Sequence, residues 1–157
     1  MSLPFQLRRA NPEDAAELTQ LIYLSKKSNG YDDAFMQACA EELRVTEDDI
    51  AASLIWVAEA DRLLGSVTLV PHTATLIGEI SSFFVHPQAK RQGVGRALWQ
   101  LVLDAARDAG LTHLRLDADP EAVLFYKAMG FAVIGETPSG SIAGRFLPLM
   151  ERTVPAQ

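Results

Sequence analysis

The stretch from Gly78 to Gly110 constrains this chain most: a strand-like run passes through a glycine-rich basic turn into an amphipathic helix. The run Glu79-Ile80-Ser81-Ser82-Phe83-Phe84-Val85-His86 has the aromatic and β-branched content of a strand, and Pro87 stops it. After the turn Lys90-Arg91-Gln92-Gly93-Val94-Gly95-Arg96, apolar residues recur at Val94, Ala97, Leu98, Leu101, Val102, Ala105 and Ala109, one face of a 3.6-residue period. The glycines therefore sit at a helix N-terminus. The first N–H groups there have no intrahelical partner and the dipole is positive, so the backbone binds an anion where no side chain intervenes. Gly93 and Gly95 remove the side chains. The alternative is a tight turn in which Lys90, Arg91 and Arg96 are ordinary solvated charges; a strand before, a helix after and three basic residues around favour phosphate.

Two familiar phosphate signatures fit poorly. A dinucleotide-binding Gly-x-Gly-x-x-Gly requires Gly or Ala at Leu98, and a P-loop ends in Gly-Lys-Ser/Thr where this chain has Gly95-Arg96-Ala97. The segment instead resembles the pyrophosphate-binding motif of the GCN5-related N-acetyltransferase (GNAT) superfamily, Arg/Gln-x-x-Gly-x-Gly/Ala. Lys90-Arg91-Gln92-Gly93-Val94-Gly95 fills it, with Lys90 where Arg or Gln is usual. A second block, Asp119 to Phe131, resembles the late helix of the same superfamily, Asn-x-x-Ala-x-x-Phe/Leu-Tyr-x-x-x-Gly-Phe, with Asp119 in place of Asn. Its local chemistry agrees: Asp119 suits an N-cap, Pro120 the first helical position and Gly130 a C-terminal stop. The resemblance is specific from Glu79 to Phe131; elsewhere it rests on the order of elements.

At 157 residues, 48% of them hydrophobic, the chain is expected to form a single domain, 1–157, with its own core. A net charge of −6 without a long basic run argues against general nucleic-acid binding. Met1-Ser2-Leu3-Pro4-Phe5-Gln6 lacks a charged-then-apolar leader and no apolar stretch approaches ~20 residues, so the expected partners exclude membranes and the expected location is cytoplasmic. Cys39 has no internal disulfide partner and is expected as a buried helix residue. The three histidines lack metal-ligand spacing, and no metal is expected.

The elements alternate as in an α/β fold of GNAT type, a mixed, mostly antiparallel sheet with helices on both faces. Phe5 to Arg9 reads as a strand, and Asn11-Pro12-Glu13 opens a helix carrying Ala15, Leu18, Leu21 and Ile22 inward, ended by Asn29-Gly30. Asp32 or Asp33 caps a second helix, and Thr46 with Asp48 and Asp49 opens a short third one ending before Leu54. Leu54 to Glu59 and Leu63 to Val70 read as a hairpin around Ala60-Asp61-Arg62. Leu111 to Leu116 reads as a short central strand. Phe131 to Glu136 and Phe146 to Arg152 form a closing pair joined through Pro138-Ser139-Gly140-Ser141.

The resemblance implies an acetyl-CoA-dependent N-acetyltransferase acting on a primary amine of a small molecule or peptide, with a homodimer an open possibility. Acetyl-CoA would lie on Phe84 and Val85 at the strand end, on the turn from Lys90 through Arg91, Gln92, Gly93, Val94 and Gly95 to Arg96, and against Asp119 and Tyr126. An ammonium must lose a proton before it attacks, the oxyanion needs a donor, and the departing thiolate benefits from a proton. Glu79 is the candidate base, acting directly or through a water, 14 positions before Gly93 (93 minus 79), a spacing seen for the catalytic Glu of the histone-acetylating branch. The bland alternative is a solvated strand-end carboxylate. Tyr126 is the candidate acid, against a packing role. A backbone N–H near Val85, where family strands splay, is the candidate oxyanion donor. His72 and His86 have no companion carboxylate at a recognisable spacing and are expected to be surface or satisfied histidines.

The acceptor region implied by the family is Ser28 to Glu42 with Pro138 to Pro148, where Tyr31, Asp32, Asp33 and Phe35 offer aromatic walls and negative charge for a cationic amine. Helix capping is the alternative use of those acids. Two rival functions are a noncatalytic acyl-CoA sensor, disfavoured by the presence of both Glu79 and Tyr126, and a dehydrogenase-type nucleotide fold, disfavoured by the failed motif.

Overall fold

The structure, a computed structural model, describes residues 4–156. These group into two compact units, one running up to Leu69 and including Ser82–Val102, the other comprising Val70–Ser81 and the chain from Leu103 onward.

In the first unit, strand β1 (Gln6–Arg9) is followed by a 3-10 turn (Pro12–Asp14) and helix α1 (Ala15–Lys27). The Asn11 N–H donates to Asp14 at 2.7 Å, so the chain enters the helix through a tighter turn than the sequence suggested. Helix α1 buries Leu18, Leu21 and Ile22, as its period requires. Gly30, at φ +96°, supplies the left-handed residue after the helix end. Helix α2 (Asp33–Leu43) begins at Asp32, whose carboxylate accepts from the Phe35 N–H at 2.8 Å, and it buries Met36 and Cys39. Helix α3 (Glu47–Ala52) has a reciprocal cap: Asp49 N–H donates to Thr46 Oγ1 at 3.1 Å and Thr46 N–H to Asp49 at 2.9 Å. Strands β2 (Leu54–Glu59) and β3 (Leu63–His72) form the expected hairpin, with β3 running past Val70 and Pro71. Leu18, Leu21, Ile50, Ile55, Val57 and Leu63 make one apolar cluster. Arg8 pairs with Asp14 at 2.8 Å and Glu59 at 3.1 Å, which raises the guanidinium's pKa and lowers that of the Asp14 carboxyl through its hydrogen bond to Arg8.

Strand β4 (Ile77–Val85) begins in the second unit and ends in the first, and helix α4 (Val94–Asp108) passes from the first into the second. The second unit adds β5 (His113–Asp117), a 3-10 turn (Pro120–Ala122), α5 (Val123–Ala128), β6 (Ala132–Pro138) and β7 (Phe146–Thr153). The seven strands follow the order β1-β2-β3-β4-β5-β7-β6. The sheet is mixed and mostly antiparallel, with β4 and β5 parallel and β5 interior as expected. The parallel pairing covers only Ile77–Glu79 against His113–Arg115, although β4 continues to Val85. Leu114, Leu116 and Met150 are buried in this unit.

The inward face of α4 differs from the one read off the sequence. Val94, Leu98 and Val102 are buried as expected, but their companions are Trp99, Leu103 and Ala106. Leu101 and Ala105 are half-buried and Ala109 is exposed. Small alanines had matched the period without weight; the large side chains Trp99 and Leu103 decide which stripe turns inward, because burial scales with apolar area.

Candidate active site

The glycine-rich basic turn, Lys90 to Arg96, lies wholly in the first unit. His86 ends the strand: its backbone N–H donates to Leu64 O at 2.7 Å, and its Nδ1 accepts from the Gln88 N–H at 3.1 Å, which leaves the proton of the neutral ring on Nε2. Burial, and secondarily the Arg62 charge, hold its pKa below the usual imidazole value. His86 is thus the satisfied histidine the sequence led us to expect. A short 3-10 turn (Pro87–Ala89) follows, with Arg62 donating to the Gln88 side chain. Then Arg91, at φ +66°, and Gly93, at φ +84°, bend the chain into α4. The intrahelical ladder starts at Ala97, whose N–H donates to Gly93 O at 3.0 Å, so the N–H groups of Val94, Gly95 and Arg96 lie ahead of it. Lys90, Arg91 and Arg96 are exposed and form no ion pair among the described residues.

Gly65 on β3 is a residue that motif reading passed over. A Cβ placed on it would lie 2.7 Å from Val94 Cγ1, 3.0 Å from Leu98 Cδ1 and 3.1 Å from the Phe84 carbonyl oxygen. Its bare backbone lets the first turn of α4 seat directly on β3 beside the end of β4. The available signal was one glycine inside a strand pattern, which marks close backbone approach.

The second unit carries the candidate acid and base. Glu79 stands on β4 opposite Arg115 of β5 and opens, with His72, Thr75, Ile77, Leu116, Asp117 and Leu149, onto a cleft of about 380 Å³. Its carboxylate Oε2 lies 3.4 Å from His72 Nε2. His72 therefore does have a companion carboxylate, contrary to the expectation from spacing: the turn between β3 and β4 folds the two together across seven positions, a separation with no helical or strand signature. Arg115, which shares the cleft, is paired with Glu151.

Tyr126 of α5 is buried, its ring packed edge-on to Phe125 and Phe131 at 5.2 and 5.8 Å between centroids. Burial, and then the nearby Asp119 charge, push the phenol pKa well above its ordinary value, so the group keeps its proton throughout the physiological range. Asp119 itself caps the 3-10 turn, accepting from Glu121 N–H at 2.9 Å, and lies 3.7 Å from the Arg145 guanidinium. The carboxylate expected to face the cofactor is thus already engaged by the protein.

Of the acceptor candidates in the first unit, Tyr31 and Phe35 do form an aromatic wall, stacked at 4.1 Å and 12°. The cation over that wall is the protein's own Lys26, at 5.2 Å from Tyr31 and 5.9 Å from Phe35. Asp32 is the α2 cap, and Asp33 pairs with Lys27 at 3.1 Å. The capping alternative is the arrangement observed for Asp32, while Asp33 stands at the first helical position in its ion pair.

A family model described as an acetyltransferase (GNAT) domain matches residues 15–142. The chain belongs to the GNAT family of acetyltransferases. It is 30% identical over 112 residues to human N-acetyltransferase 8, covering 65% of this chain and 49% of that protein, so the chain spans about half the length of this relative. It is 28% identical over 153 residues to the peptidyl-lysine N-acetyltransferase YjaB of Salmonella typhimurium, covering 95% of this chain and 97% of that one. Its fold is that of the PaiA N-acetyltransferase of Thermoplasma acidophilum, solved in complex with coenzyme A, at a TM-score of 0.76 and 20% identity over 98% of this chain and 99% of that one. Family membership makes acetyl-CoA the expected donor. The residues fit it: open helix N-terminal amides, a left-handed glycine and three cations are the donor set a pyrophosphate requires. No group of His, Cys, Asp or Glu among the described residues is arranged to hold a metal ion, and no described helix is long and apolar enough to cross a membrane.

Proposed function

We propose that this chain, acting as one cytoplasmic N-acetyltransferase domain, moves the acetyl group of acetyl-CoA directly to a primary amine of a small molecule or peptide. The observation that carries the reading is the start of α4, where the N–H groups of Val94, Gly95 and Arg96 precede the helix ladder in a chain matched by the acetyltransferase family over 15–142. The turn from Lys90 to Arg96 holds the pyrophosphate. Phe84 and Val85, on the part of β4 beyond its pairing with β5, offer main-chain groups to the pantetheine amides and the oxyanion. Glu79 takes a proton from the ammonium, the amine attacks the thioester carbonyl carbon, and the C–S bond breaks. Tyr126, protonated by virtue of its burial, gives its proton to the departing thiolate. The proton left on the acetylated nitrogen then restores the phenol.

The sensor alternative would use the phosphate turn without turnover. An amine panel with thiol detection separates the two. The proposal expects amine-dependent release of CoA from the wild-type protein, abolished by blocking the amine; acetyl-CoA binding with no release across the panel supports a sensor.

A further inference from the structure

The pairing of His72 with Glu79 has no counterpart among the motifs that identify the chain. The β3–β4 turn pins His72 by its own carbonyl, which accepts from the Thr75 N–H at 3.2 Å and from Thr75 Oγ1 at 3.3 Å. Nε2 of the ring lies 3.4 Å from Glu79 Oε2, and both side chains are about half exposed, at 50% and 49%. The other charged groups in the cleft come from β5: Arg115, which Glu151 of β7 already pairs, and Asp117. Leu149 from β7, with Ile77 and Leu116, makes the apolar remainder. The arrangement is a carboxylate with an imidazole beside one oxygen, lining a cleft with room for a small amine.

Resting on the amine-acetylating reading above, we propose that His72 is the positioning residue of the base. Its ring donates the Nε2 hydrogen to Glu79 Oε2, leaving Oε1 to take the proton from the acceptor ammonium. The freed nitrogen lone pair then forms the N–C bond as the C–S bond breaks, and Glu79 passes its proton to water at the cleft mouth. A neutral imidazole donor orients the carboxylate without adding charge.

The test uses the full chain, acetyl-CoA and the most active amine of the panel, with kcat and KM measured for wild type, His72→Ala, His72→Gln, Glu79→Gln and the double variant His72→Ala/Glu79→Gln. His72→Ala should lose about tenfold or more in kcat, the loss expected for one hydrogen bond to a charged group, with the KM for acetyl-CoA unchanged. His72→Gln keeps an N–H donor, so it should regain most of the rate that His72→Ala loses. The double variant should be no slower than Glu79→Gln, since the two act as a unit. A wild-type rate in His72→Ala, a His72→Gln rate no better than that of His72→Ala, or additive losses in the double variant overturns the proposal and leaves the acetyltransferase reading standing. If the wild type binds acetyl-CoA and acetylates no amine, that reading falls and the positioning role falls with it.

Discussion

Replacing Gly65 by alanine should damage acetyl-CoA binding from a strand that contains none of the phosphate donors. The added Cβ would meet Val94 Cγ1 at 2.7 Å, about 0.8 Å inside the ~3.5 Å lower edge of a comfortable carbon–carbon contact. Leu98 Cδ1, at 3.0 Å, is the end of a flexible side chain and can move aside. Val94 cannot rotate freely, because a β-branched residue in a helix has one strongly preferred rotamer, and the Phe84 carbonyl at 3.1 Å is backbone. The strain is therefore relieved by lifting the first turn of α4 away from β3. Overpacking of this kind costs about 1–3 kcal/mol. At roughly 2–4 °C per kcal/mol for a domain of this size, Tm should fall by about 2–12 °C. Displaced donors at Val94, Gly95 and Arg96 should raise the Kd for CoA about tenfold, equivalent to ~1.4 kcal/mol. Thermal melts and calorimetric titration with CoA read both quantities. Adding Val94→Ala removes the clashing methyl, so Gly65→Ala/Val94→Ala should bind CoA better than Gly65→Ala alone. A Gly65→Ala protein with wild-type Tm and CoA affinity would refute the claim that this glycine seats the phosphate helix.

Gly93→Asp or Gly95→Asp puts a side chain and a negative charge where the pyrophosphate must sit, and Gly93 is additionally held at φ +84°, so CoA affinity should drop by about tenfold or more in titrations of the folded variants. Tyr126→Phe keeps the ring against Phe125 and Phe131 but lacks the proton donor; turnover should fall on the order of ~100-fold with acetyl-CoA binding little changed, and wild-type turnover would make Tyr126 a packing residue. His86 has a folded-state pKa depressed below its unfolded value, so the unfolded chain binds the extra proton and stability rises with pH across the acid side of neutrality. Chemical denaturation from pH 7 down to pH 5 should show that loss, and His86→Gln should flatten it.

What could be read from the sequence was the local chemistry. Caps at Asp32, Thr46 and Asp119, the glycine turn before α4 and the strand that feeds it depend on neighbours within a few positions, and each is found where the residues called for it. The features that escaped are set by residues far apart in the chain or by side-chain bulk. His72 meets Glu79 only because a turn closes; Asp119 is engaged by Arg145, 26 positions away (145 minus 119); Gly65 matters because of Val94 and Leu98. Arg91 adopts a left-handed conformation with no glycine to announce it. The α4 stripe was misplaced because its period admitted two neighbouring faces, and only the volumes of Trp99 and Leu103 choose between them.

The central claim is direct acetyl transfer, and the most direct measurement follows acetyl-CoA labelled in its acetyl group through a single turnover with the amine panel. The account predicts that label reaches the amine nitrogen in amounts equal to the CoA released, with no labelled protein intermediate and no transfer in the Glu79→Gln/Tyr126→Phe double variant. Tight binding of acetyl-CoA with the label remaining on the thioester throughout would contradict it.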